Sequence, residues 1–296
     1  MGAPPLVILN PQSNVGRAAR LRKPLEKALA AGKGDLVPTQ APRDAERLAQ
    51  EAAASGRDVV VAGGDGTINE AANGVLSSGR RVSLGIIPAG SGNDYACETL
   101  KLPRDPLRAL EIALRGEPRA MDVGRVNGRY FLNAFGVGLD ANIAAAAEKL
   151  KRYPFMRGQT LYWTASLREL IFHYKLCPRL TVQYDEQPSE QREYAVAAVS
   201  IGPTYGGGFR INPDADPRDG LFDLCTIWKP SLPRALRLLP MVEKGKHLRE
   251  KEVARARVRH VVMESDHLIH AHLDGEVILE RRFEARILPS ALLVRQ

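Results

Sequence analysis

Cysteine is nearly absent: Cys97, Cys177 and Cys225 are the three in 296 residues. Odd in number and far apart, they supply neither a disulfide framework nor a zinc-ligand spacing, and a reducing cytosol is the compartment to expect. No uninterrupted apolar stretch approaches the ~18–20 residues that a spanning helix needs. The start, Met1-Gly2-Ala3-Pro4-Pro5, has no basic n-region, so a secretory leader is not expected. Internal repeats and low-complexity linkers are also missing. Any domain boundary must therefore be read from a shift in pattern.

What is present is ordinary for a globular protein, with 44% hydrophobic and 26% charged residues. The length is generous for one core, so one large or two medium domains are expected. A formal net charge of +8 and a pI near 9.5 favour an anionic partner such as a nucleotide, a lipid headgroup or a nucleic acid. The cations are dispersed, without a recognition helix or an aromatic-basic ribonucleoprotein motif, so no nucleic-acid partner is expected.

The most informative stretch is Ala62-Gly63-Gly64-Asp65-Gly66-Thr67-Ile68-Asn69-Glu70. The apolar run before it reads as a buried strand and the residues after it as a helix. Glycines let the backbone turn sharply and approach a ligand. A helix N-terminus beside them offers N–H groups and a positive dipole end to a phosphate. Thr67 is expected to cap the helix, with Glu70 as its capping-box partner. Asp65 would repel a phosphate unless a divalent cation or a substrate proton intervenes, which points to phosphoryl transfer.

Two more strand-end loops share this character. Leu6-Val7-Ile8-Leu9 leads into Asn10-Pro11-Gln12-Ser13-Asn14, and the strand over residues 82–87 leads into Gly90-Ser91-Gly92-Asn93-Asp94. A short strand near Leu36 leads to Thr39, then to a helix over residues 44–55. Strands alternating with helices predict a doubly wound parallel sheet with its ligand loops at the strand carboxyl ends. After about residue 120 the pattern turns to short strands, with a hairpin signal at Asn127-Gly128 and helices over 141–150 and 158–174. Strands are predicted over 179–184, 193–201, 221–228, 252–264, 268–273 and 282–288, as an antiparallel β-sandwich. The division expected is 1–124 and 125–286, with the tail 287–296 returning to the first domain.

The second half also carries acidic patterns. Asn212-Pro213-Asp214-Ala215-Asp216-Pro217-Arg218-Asp219-Gly220-Leu221 collects carboxylates and carbonyls of the kind that suit a hard cation. Leu273-Asp274-Gly275-Glu276 places two acids around a glycine, which also suits a plain hairpin turn.

Together, in this order, these motifs resemble the diacylglycerol kinase catalytic family, in particular its bacterial diacylglycerol- and phosphatidylglycerol-kinase-like lipid kinases. The resemblance spans nearly the whole chain. It implies an N-terminal nucleotide-binding domain of the phosphofructokinase and NAD kinase type and a C-terminal β-sandwich. Asn10, Pro11, Gln12, Ser13, Asn14, Thr39, Gly63, Gly64, Asp65, Gly66, Thr67, Ile68, Asn69 and Ser91 would contact ATP, with Asn93 and Asp94 of the same loop. Glu276 would accept the substrate proton, with Asp65 and Asp274 as further catalytic acids. Asp216, Asp219 and the Leu221 carbonyl would hold magnesium. At Ser91-Gly92-Asn93-Asp94 this chain departs from the Thr-Ala-Asn-Asp of many relatives, although a hydroxyl survives.

Phosphoryl transfer asks a protein to position the γ-phosphate, neutralise charge and orient a hydroxyl. Either Asp65 or Glu276 can serve as the base. The expected reaction is ATP-dependent phosphorylation of a lipid hydroxyl, with sphingoid-base or NAD kinases as alternatives of the same fold. A peripheral position on the inner membrane face follows from a lipid substrate. Two basic stretches are candidates for that contact: Lys149–Arg157, with Tyr153, Phe155 and Met156, and the alternating Arg255, Arg257 and Arg259.

Overall fold

The computed structural model describes residues 3–30, 32–150, 153, 156 and 158–296, apart from the side chain of Leu176. The chain divides into two compact units, Met1–Asp122 with Ser290–Gln296, and Val123–Pro289.

In the first unit the elements alternate: β1 (Leu6–Leu9), α1 (Arg22–Leu29), β2 (Asp35–Pro38), α2 (Asp44–Ala54), β3 (Val59–Gly63), α3 (Asp65–Ser77), β4 (Ser83–Pro88) and α4 (Pro106–Arg115). The strands pair in parallel in the order β2-β1-β3-β4. Parallel strands covered by helices must be apolar throughout, and every residue of β1, β3 and β4 is buried. Val7, Leu9, Val60, Ala62 and Ile87 pack on Leu25 and Leu29 of α1 and on Ala109, Leu110 and Ala113 of α4. Each such side chain contributes about 1.5–3 kcal/mol by leaving water. The chain end returns here, with Leu293 and Val294 beside Ser83 and Leu84 of β4. Arg295 fixes it, donating to Asp58 Oδ2 at 2.6 Å, while Asp58 Oδ1 accepts the Ser83 N–H at 2.8 Å.

The second unit contains β5 (Pro118–Val126, which begins in the first unit), β6 (Arg129–Phe131), β7 (Ala134–Gly138), α5 (Leu139–Leu150), α6 (Gly158–Phe172), β8 (Arg179–Tyr184), β9 (Glu190–Ser200), β10 (Phe222–Trp228), α7 (Leu232–Glu243), β11 (Val253–Val258), β12 (His260–Leu273) and β13 (Glu276–Arg295). Pairing is antiparallel in the order β11-β10-β9-β7-β12-β13, and β8 bridges β9 and β12. Phe131, Phe135, Phe222 and Phe283 centre its core, with ring centroids 5.6–6.0 Å apart in successive pairs.

Several elements differ from expectation. Asn127-Gly128 does turn β5 into β6, but β7 leaves that hairpin to pair with β9 and β12. The strand expected over 252–264 is two, divided at Arg259, and β13 runs much further than 282–288. Helix α7 has no counterpart in the sequence reading. The α3 cap is Gly64 and carries no side-chain cap bond, so Thr67 sits one turn inside and does not form the expected capping box.

Candidate functional site

Three strand ends converge in the first unit. After β1, Asn10 Nδ2 donates to Thr67 Oγ1 at 2.9 Å, and the Asn10 N–H donates to the Ala62 carbonyl at 2.9 Å. Ser13 Oγ lies 3.5 Å from Thr67 Oγ1 and accepts the Gly64 N–H at 3.3 Å. Asn14 and Val15 adopt left-handed backbone angles. Thr39, just past β2, donates its N–H to the Leu9 carbonyl at 2.9 Å. The Thr67 hydroxyl thus ties the first loop to α3 instead of closing the helix end. Gly64, the residue that opens the helix, carries no side-chain cap.

The third loop meets the second backbone to backbone. A Cβ on Gly90 would sit 2.5 Å from Gly64 Cα, so only glycine allows this approach. Asn93 closes the loop on itself, accepting the Gly90 N–H at 2.8 Å and donating to the Gly90 carbonyl at 3.1 Å. Asp65 then fastens it: Oδ2 accepts the Asn93 N–H at 2.9 Å and Oδ1 accepts the Tyr95 N–H at 3.1 Å. Part of the Asp65 residue is accessible, yet burial of its carboxyl pushes the pKa above the usual carboxylate range. The N–H groups of Tyr95, Asp94 and Asn93 act in the opposite direction. Ser91 is exposed, and Asp94 is buried at the start of a wide helical turn, Asp94–Thr99.

Two expected ATP contacts change character. Ile68 is fully buried and its N–H is bonded to the Gly64 carbonyl at 3.0 Å. Asn69 is buried and accepts from Asn73 Nδ2 at 3.0 Å. Both shape the loop from its core side.

In the second unit, Asp274 and Gly275 form the turn between β12 and β13, both at positive φ. Asp274 is not a free acid. Its Oδ2 accepts the Leu132 N–H at 2.6 Å, and its Oδ1 accepts those of Asn133 and Ala134 at 3.0 and 2.9 Å. It therefore fastens the hairpin to the β6–β7 link. Glu276, the next acid, is half-exposed and paired with Arg129 at 3.2 Å.

The acidic loop differs from expectation most clearly. Asp219 accepts the Leu221 N–H at 3.0 Å through Oδ1 and pairs with Arg257 through Oδ2. Asp216 accepts the Arg218 N–H at 3.1 Å, and Asp214 pairs with Arg255 at 3.0 Å. The oxygen-only donor set suits magnesium, but arginine already neutralises Asp219 from the adjacent strand, so these residues do not fit the cation as arranged. Among the described residues no cluster of three or more acidic, histidine or cysteine side chains is placed to hold a metal. The proposed metal loop and the proposed basic strand pair with each other. Lys151, Arg152, Pro154, Phe155 and Arg157 of the other basic stretch lie outside the described residues.

A second close pair of potentially reactive groups lies in the second unit. Cys225 Sγ lies 3.7 Å from His247 Nε2, but burial raises the thiol to about 12 and lowers the imidazole to about 4, so neither is charged near neutrality. A buried cluster that sequence spacing does not reveal joins Asp140 to Tyr205 Oη at 3.1 Å and to His272 Nε2 at 3.4 Å. Burial and the Asp140 charge hold the Tyr205 phenol far above its usual pKa, so it remains a donor.

Comparison with known proteins identifies the family and the fold. The family described as the diacylglycerol kinase catalytic domain matches residues 4–126, and the one described as the YegS C-terminal NAD kinase beta sandwich-like domain matches residues 133–296. The diacylglycerol kinase of Bacillus subtilis (strain 168) is 34% identical over 237 residues, covering 79% of this chain and 76% of that protein. That of Mycobacterium tuberculosis (strain ATCC 25618 / H37Rv) is 34% identical over 257 residues, covering 85% and 81%. A crystal structure of a diacylglycerol kinase from Bacillus anthracis str. Sterne superposes with a TM-score of 0.72 at 21% identity, covering 99% of this chain and 96% of that one.

Proposed function

Because this chain belongs to the diacylglycerol kinase family and is a lipid kinase with ATP as its phosphoryl donor, we propose that it phosphorylates a hydroxyl of diacylglycerol or phosphatidylglycerol. The reading rests on one observation above all: three strand-end loops in the first unit are locked together through Asn10, Ser13, Gly64, Asp65, Gly90 and Asn93.

The chemistry follows from what those groups offer. The uncapped N-terminus of α3 presents N–H groups and a dipole to the ATP phosphates, while Gly63, Gly64, Gly66 and Gly90 let the backbone come close. Asn10, Gln12, Ser13, Asn14, Thr39, Thr67 and Ser91 supply polar contacts around the nucleotide, and Pro11 stiffens the first loop. Asp65 holds the third loop in register, and would be the carboxylate to hold the magnesium that accompanies ATP or to steer the acceptor hydroxyl. Asp94 acts from the same loop. Glu276 takes the hydroxyl proton, an effect worth ~10²–10⁴-fold, while Asp274 is a positioning residue that orients the turn before it. The enzyme works in the cytoplasm and reaches its substrate from the aqueous side of the inner membrane face. Among the described residues no helix is long and apolar enough to cross a membrane.

The test is transfer of labelled γ-phosphate from ATP to a panel in mixed micelles: diacylglycerol, phosphatidylglycerol and a sphingoid base, with NAD assayed in parallel. Label is expected in phosphatidic acid or phosphatidylglycerol phosphate. Transfer only to NAD or the sphingoid base would overturn the substrate assignment.

A further inference from the structure

Two hairpins of the second unit end in the same kind of turn. Asn127-Gly128 joins β5 to β6 and Asp274-Gly275 joins β12 to β13, with all four residues at positive φ. The first residue after each turn is charged, Arg129 in one and Glu276 in the other, and their side chains meet at 3.2 Å. Backbone fastenings hold both turns in place. Asn127 donates to the Arg282 carbonyl at 2.8 Å and accepts the Glu284 N–H at 3.1 Å, which fixes its hairpin on β13. Asp274 accepts the N–H groups of Leu132, Asn133 and Ala134, just beyond Arg129. Arg129 and Glu276 therefore stand on fixed backbone, and a change of partner needs only side-chain rotation.

The pair itself is easily exchanged. One guanidinium nitrogen, Nη2, meets one carboxylate oxygen, Oε2, and the two side chains are 26% and 49% exposed. Solvent screens such a contact, which is worth under about 1 kcal/mol. An arginine fork takes a phosphate through two parallel charge-assisted bonds, a stronger arrangement. A phosphate that reaches Arg129 can therefore displace the carboxylate, and it leaves Glu276 beside it with an oxygen released to take a proton. The other cation of this hairpin is turned away. Tyr130 faces the opposite side of the strand and carries the Arg125 guanidinium 5.7 Å from its ring centroid.

We propose that Arg129 is a specificity-determining residue, which leaves Glu276 for the phosphodiester of an acceptor lipid and so selects a headgroup carrying both a phosphate and a hydroxyl. The proposal rests on the lipid-kinase reading, with Glu276 as the proton acceptor. In phosphatidylglycerol the phosphodiester and the primary hydroxyl stand at the two ends of one glycerol unit, so a single headgroup can meet both residues. The hydroxyl oxygen attacks the γ-phosphorus of ATP, its proton passes to Glu276 and ADP departs. Diacylglycerol brings the hydroxyl without the phosphate and leaves Arg129 on Glu276.

The test uses the full chain with short-chain phosphatidylglycerol and short-chain diacylglycerol in the same neutral detergent micelles. Arg129→Gln should lower the ratio of kcat/KM for phosphatidylglycerol to that for diacylglycerol at least about tenfold, mainly through KM for phosphatidylglycerol. A general loss of folding lowers both rates together and leaves this ratio unmoved. Arg129→Lys, which keeps the charge and loses the fork, should retain part of the preference. Glycerophosphoglycerol, the soluble headgroup, should compete with phosphatidylglycerol in the wild type and bind about tenfold more weakly to Arg129→Gln. An unchanged headgroup affinity, or a wild type that phosphorylates diacylglycerol but not phosphatidylglycerol, overturns the role of Arg129 and leaves the kinase reading intact. A rise in KM for ATP that is equal with both lipids assigns Arg129 to the nucleotide phosphate and also overturns the proposal. No transfer to either lipid by the wild type overturns the kinase reading instead.

Discussion

Asp65 and Asp274 both stand in glycine turns at the end of a β-strand, and both spend their carboxylates on backbone N–H groups of a distant segment. The consequences differ. Asp65 takes two N–H groups from the loop after β4, so it belongs to the framework of the proposed nucleotide cradle. Asp274 takes three N–H groups from the link between β6 and β7, whereas Glu276 beyond the turn is half-exposed and paired with Arg129. An Asp-Gly motif locates an acid at a turn. Its chemistry depends on which lone pairs the rest of the fold has already used.

The largest effect is expected at Glu276. Glu276→Gln should lower kcat about 10²–10⁴-fold, with little change in melting because its ion pair with Arg129 is partly exposed and worth under about 1 kcal/mol. Steady-state rates beside a melting curve check this, and activity within a few-fold of wild type removes Glu276 from the proton-acceptor role. Asp274→Ala should act on stability instead, by about 3 kcal/mol, because three backbone donors lose their acceptor together. Urea unfolding reads it, and a loss below about 1 kcal/mol would mean that the turn is held by something else.

Asp65→Asn lies between these two. The structure predicts defects in both stability and turnover. An amide at this position turns one acceptor into a donor facing an N–H, at a cost of about 1–3 kcal/mol, and turnover should fall by orders of magnitude. Unchanged unfolding would show that the fastening of the third loop is unimportant. The smallest effect concerns a carboxylate held by side-chain cations. Arg286, Arg282 and His260 hold Glu284 down at about 2. Its stabilisation is therefore complete above the ordinary glutamate range and is lost as pH falls from about 4.5 toward about 2. Glu284→Gln should flatten the unfolding free energy over that acid window, and an unaltered slope would place the acid sensitivity elsewhere.

The first unit was legible because its signals are local. Short apolar runs ending in Asn10-Pro11, Gly63-Gly64 and Gly90-Ser91 specify strands with ligand loops, and the strands lie where those runs predict. The fastenings were not legible, because they join residues far apart in sequence: Asn10 to Thr67, Ser13 to Gly64, and Asp58 to Arg295. The same applies to the acidic loop, whose spacing resembles a cation site until Arg255 and Arg257 pair with it across about forty residues. Helix α7 escaped because Pro233 and Pro240 interrupt its pattern, although a proline in the first turn is compatible with a helix start. The contact between Gly64 and Gly90 has no sequence signal beyond the glycines themselves.

That contact gives the most direct test of the proposed nucleotide cradle. Gly90→Ala adds a single methyl group, which would lie 2.5 Å from Gly64 Cα and must push the two loops apart. Equilibrium titration of ATP with magnesium against the wild type and this variant, with melting curves to verify folding, reads the consequence. The interlocked loops predict a folded variant whose affinity for ATP falls at least about tenfold, equivalent to 1.4 kcal/mol. ATP binding at wild-type affinity by Gly90→Ala would contradict the claim that these loops form the nucleotide site.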